Sequence, residues 1–109
     1  MRSEIGPVLR LPLLAAGFVA LALGVGAGLA RMGWAFPLPD PGLIAWHGPL
    51  MVAGFFGTVI SLERAVALSA RWAYAAPLAA ALGTLTLIAA LPLAAMLLFI
   101  AASLVLVAA

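Results

Sequence analysis

The chain has 109 residues, of which 68% are hydrophobic and 7% charged, with a formal net charge of +2. Soluble domains carry about 45–50% apolar and about 25% charged residues, so this composition excludes a water-soluble globule and a disordered tail. Five scattered Arg make no basic stripe for nucleic acid, and without Cys the chain supplies no disulfide, thiolate metal site or thiol nucleophile.

Charge spacing predicts the elements. Twenty uncharged residues separate Arg10 from Arg31, twenty-two separate Asp40 from Glu63, and thirty-eight follow Arg71. About 20 apolar residues cross a bilayer core, so each of the first two gaps is one helix. The third is too long for one span and is expected to fold back at Leu91-Pro92-Leu93, where Pro92 lacks an amide donor. The expected fold class is therefore all-α, an integral membrane helical bundle in a single transmembrane domain over 1–109. Its four transmembrane helices are expected at 11–30, 43–69, 73–91 and 93–109. The Pro37, Pro39, Pro41 and Gly42 connection is expected to be non-helical.

The first apolar run exceeds the 7–15 residues of a cleaved signal peptide, which predicts a retained signal anchor. Arg2, Arg10, Arg64 and Arg71 fall on one side of the expected bundle and Arg31 on the other. The positive-inside rule then puts the N-terminus in the cytoplasm, with the chain in a bacterial inner membrane. Trp34, Phe36 and Trp46 are expected at one interface, Trp72 and Tyr74 at the other. Residues Ser103–Ala109 carry no interfacial anchor, which predicts the N-terminal part of a longer polytopic protein.

The second helix carries the reactive side chains. From His47, Met51, Gly54, Thr58 and Ser61 follow at offsets of 4, 7, 11 and 14, on one helical face. Leu50, Phe56, Val59, Ile60 and Leu62 are expected on the opposite side, suited to lipid or to bulky packing, with Phe56, Val59 and Ile60 the more lipid-accessible. Pro49 is expected in the first turn, where a missing amide costs little. His47 has three open roles: a structural hydrogen bond, proton transfer, or ligation of haem or copper with Met51 as thioether neighbour. Glu63-Arg64 is expected to be an interfacial ion pair. The Gly24-xxx-Gly28 spacing allows close helix packing, with Gly54 and Gly57, or Ala79 and Gly83, as receiving surfaces.

The stretch His47-Gly48-Pro49-Leu50-Met51-Val52-Ala53-Gly54-Phe55-Phe56-Gly57-Thr58, with Leu62-Glu63-Arg64-Ala65-Val66-Ala67-Leu68 after it, resembles a group of uncharacterised bacterial polytopic membrane proteins. Their shared pattern is H-G-x-L-M-x-x-G-F-x-G-T followed by L-E-R-A-V-A-L. More distantly it resembles the NnrS family of haem- and copper-associated membrane proteins linked to nitric-oxide stress. That resemblance implies His47 as a haem or copper ligand beside Met51, and a longer chain of many spans. The residues themselves give catalysis no foothold: no carboxylate pair, phosphate loop or dinucleotide fingerprint is present. The expected function is a non-catalytic module packing against other transmembrane helices or subunits and the lipid bilayer. A redox or nitric-oxide-response protein using His47 is the alternative.

Overall fold

A computed structural model describes residues 6–109, without the side chain of Leu9; Arg2, used above to orient the chain, lies outside the described residues. Among the described residues the fold is all-helical, with four helices and no strand. Helix α1 spans Pro7–Arg31, with Pro7 at its first position, where no amide donor is needed. It begins earlier than the charge pattern predicts, because Arg10 is tolerated one turn inside.

Helix α2 spans Pro41–Leu68 and changes its pitch along the way. It opens as a 3-10 helix over Pro41–Trp46, becomes α over His47–Pro49, widens to π over Leu50–Phe56, and returns to α over Gly57–Leu68. Pro41 and Gly42, expected in the connection, belong to its first turn. Asp40 caps that turn by accepting the Gly42 amide at 3.1 Å, and proline suits a helix start. Pro49 is deep inside the helix rather than in its first turn. Its missing donor is accommodated by the tight turn before it and the wide turn after it, the usual adjustment around an internal proline in an apolar bundle.

A 3-10 turn over Arg71–Tyr74 leads into α3, Ala75–Ile88, and α4 spans Pro92–Ala108. The reversal comes slightly earlier than expected, at Ala89–Leu91. Leu91 N–H donates to Thr86 O at 2.9 Å and Ala90 N–H to Leu87 O at 3.1 Å. This is a Schellman closure, with Ala90 left-handed at φ 61°. Pro92 then opens α4 instead of merely kinking a longer helix.

The bundle is 52 Å long and 24 by 19 Å across. Helix α2 packs on α1 and α3; α1 and α2 form the most extensive pair, followed by α3 and α4. Two apolar clusters sit at opposite ends. Leu13, Leu62, Ala65, Ala73, Tyr74 and Ala81 form one; Leu43, Leu50, Leu87, Ala95 and Phe99 form the other. Leu50 and Leu62 take the bulky packing open to them, because α2 is central and has neighbours on more than one side. Tyr74, expected at an interface, turns into the core, while Trp72 stays exposed.

Helices Arg10–Arg31 and Pro41–Leu68 are long and apolar enough to cross a membrane. Helix α4 is apolar but shorter, at 17 residues, and α3 has 14.

Candidate functional site

The α1–α2 seam is a ladder of small residues on α1 facing the polar stripe of α2. A Cβ on Gly17 would lie in ordinary contact with Thr58 Cγ2, at 3.5 Å. Ala20 packs on Gly54, where an added Cβ would stand only 2.9 Å from the Ala20 methyl. Gly24 faces Met51, whose sulfur would be 2.6 Å from a Cβ there, and Gly28 faces His47, whose Cε1 would be 2.8 Å away. The Gly24-xxx-Gly28 pair therefore receives the Met51 and His47 side chains, not the backbone at Gly54 and Gly57. Bulk on one helix fills the hollow on the other, as close packing requires.

Gly54 instead lies between Ala20 and Thr84 of α3, whose Oγ1 would be 2.8 Å from a Cβ. Gly57 takes no part in the seam: a Cβ there would meet only Val52 O of its own helix, at 3.5 Å. Gly83 receives the Phe99 ring of α4 rather than α1. Ser61 is buried, and its hydroxyl donates back to Gly57 O at 2.5 Å and Thr58 O at 3.2 Å.

His47 is half-buried, and its Nδ1–H donates to Gly24 O at 2.6 Å. A carbonyl can only accept, so in the neutral ring this bond fixes the tautomer and leaves the lone pair on Nε2. Nε2 makes no hydrogen bond among the described residues. The ring lines an open groove of about 400 Å³ together with Val25, Gly28, Leu29, Arg31 and Met32. The Arg31 guanidinium also has no hydrogen bond or ion pair among the described residues.

The family described as Domain of unknown function (DUF8744) matches residues 10–109. The chain belongs to this family. No curated protein and no solved structure matches it. The matched region of this DUF8744 chain includes α2, α3 and α4, α1 from Arg10 onward, the seam and the groove.

A haem or copper ion held within this chain would draw on a small donor set. The described residues contain no group of three His, Asp or Glu side chains able to hold a metal. Met51, the expected neighbour, packs its sulfur on Gly24 and does not line the groove.

Glu63 and Arg64, expected to pair, diverge. Adjacent residues on a helix do not face each other. Arg64 reaches α4, donating from Nε at 3.1 Å and Nη2 at 2.5 Å to Ala109 O. Glu63 lines a separate apolar groove between α1 and α2, with Arg10 at its rim.

Two features escaped the sequence reading. Arg31 and Met32 share the His47 groove because they stand one turn beyond Gly28 on α1, a spacing that was available in the sequence. Phe36 folds back onto Gly26, a contact made by a loop and carrying no periodic signal. Finally, Thr58 and Thr84 are fully buried, and their hydroxyls have no hydrogen-bond partner among the described residues.

Proposed function

We propose that this chain is a membrane-embedded four-helix module that packs among other transmembrane helices and performs no catalysis of its own. The supporting observation is the way side chains are sorted by size. The interior seam uses Gly17, Ala20, Gly24 and Gly54, all buried, while Phe18, Val52, Phe56, Ile60, Leu97 and Leu104 face outward. In water such an exterior would be an apolar patch far larger than soluble monomers expose. In lipid it is the ordinary arrangement, since small residues let backbones approach and large ones meet acyl chains.

The bundle length supports the same reading: 52 Å exceeds a hydrocarbon core of about 30 Å and leaves both ends in the interfaces. Helices α3 and α4 are shorter than the first two; in this reading the exposed Trp72 anchors the start of α3 at an interface. The basic side chains support an orientation. Arg10 and Arg64 flank the Leu13–Leu62 end, whereas Arg31 closes the other end of α1. By the positive-inside rule this distribution supports an N-terminus on the cytoplasmic side of a bacterial inner membrane.

The test combines vesicle flotation after an alkaline wash with cysteine labelling in intact cells. The protein is expected to float. Gly33→Cys is expected to react with an impermeant maleimide in intact cells, and Ser69→Cys only after permeabilisation. Loss from the vesicles overturns the membrane reading, and the reverse labelling pattern overturns the orientation.

A further inference from the structure

We propose that the groove beside His47 binds the hydroxylated ring of a membrane quinol. The argument begins with proton placement. Because Nδ1–H is committed to Gly24 O at 2.6 Å, the neutral imidazole offers the groove a lone pair and no hydrogen. It therefore selects a ligand that donates, such as a ring hydroxyl. A lipid phosphodiester has oxygen acceptors but no proton to give, so it can pair with Arg31 but not with a lone pair on Nε2.

The other walls supply what the remainder of such a ring needs. Arg31, without a partner among the described residues, can donate to a second ring oxygen. Val25 and Leu29 are apolar, and the Met32 thioether is a favourable neighbour for an aromatic edge. Gly28 lets the imidazole lie flat against α1 at the edge of the groove, where a Cβ would stand 2.8 Å from Cε1. The groove of about 400 Å³ lies within the usual range for small-ligand sites, and its open side lets an isoprenoid tail remain in lipid. Binding alone is proposed; no electron or proton transfer is included.

The proposal rests on the membrane reading above, and the experiment separates the two. The chain contains one His, so selective ¹⁵N-histidine labelling reports a single imidazole. Labelled protein in phosphatidylcholine nanodiscs is titrated with decylubiquinol, and the Nε2 resonance is expected to shift saturably. Decylubiquinone, which has no hydroxyl to donate, is expected to bind at least about tenfold more weakly. Arg31→Gln is expected to weaken quinol binding by about tenfold. Val25→Trp fills the groove without touching the Nδ1–Gly24 bond and is expected to abolish the shift. Absence of a saturable shift, an equal response to decylubiquinone, or a shift that survives Val25→Trp overturns the proposal. So does the same shift on adding phosphatidylglycerol alone, or a haem or copper ion already bound to Nε2 in the purified protein. Failure to enter nanodiscs overturns the membrane reading and the proposal with it, whereas entry without a shift overturns the proposal alone.

Discussion

Gly54 and Thr84 meet where α2 crosses α3, so closely that a Cβ on Gly54 would stand 2.8 Å from the threonine hydroxyl. The Ala20 methyl, at 2.9 Å, closes the same point from α1. Three helices therefore converge on one missing side chain. Gly54→Ala is expected to destabilise the bundle by about 1–3 kcal/mol, the usual cost of overfilling a packed interior. Thermal unfolding in detergent, followed by circular dichroism, measures it. Unchanged stability would show that the three helices do not converge at this point.

Thr84 carries a second prediction. Its hydroxyl is buried without a partner among the described residues, and an unpaired buried polar group costs about 1–3 kcal/mol. Thr84→Val keeps the branched shape and removes that group. The variant is expected to be more stable by about 1 kcal/mol. A loss of stability would instead reveal a hydrogen bond made through a bound water.

Ala90 holds a left-handed conformation at φ 61° in the α3–α4 turn. That region crowds the alanine Cβ against the following carbonyl, at about 1–2 kcal/mol, and glycine escapes the clash. Ala90→Gly is expected to raise stability by about 1 kcal/mol. The same unfolding assay checks it, with Ala89→Gly next to it as a control that gains nothing.

Asp40 accepts the Gly42 amide at the start of α2. Asp40→Ala is expected to cost about 1 kcal/mol, as lost caps generally do, and to speed hydrogen exchange at the Gly42 amide. Exchange as slow as in the parent protein would mean that the amide is protected by something other than the carboxylate.

Much of this architecture was legible in the sequence, for physical reasons. Polar stripes and charge gaps follow helical period and span length, so the four helices and the burial of Gly54, Thr58 and Ser61 could be read directly. Phe56 and Ile60 are exposed as the same pattern required, but Val59, expected beside them, is half-buried against Gly17 of α1. The burial of Leu50 and Leu62 could not be read this way, because a hydrophobic residue suits lipid and core equally and only the arrangement of neighbouring helices decides. The glycine seam was recognised, but its partners were not. Gly24 and Gly28 signal a hollow without indicating whether backbone or side chain fills it, and here His47 and Met51 fill it. Glu63 and Arg64 adjoin in sequence but point about 100° apart around the helix, so adjacency carries no information about pairing.

The widened turn at Leu50–Phe56 makes the two ends of α2 separable in phase. The stretch before it sets His47 against Gly24 and Gly28, and the stretch after it sets Thr58 against Gly17. A uniform α-helix would tie those two placements to a single rotation of about 100° per residue. A π turn takes up about one residue more than an α turn, so deleting one residue from the widened segment would let it close to α with its two ends near their present phase. The same deletion in α1, which is α-helical throughout between Gly17 and Gly28, would rotate those two glycines by about 100° relative to each other. The widened segment of α2 can therefore lose a residue and keep its histidine seat, whereas α1 cannot.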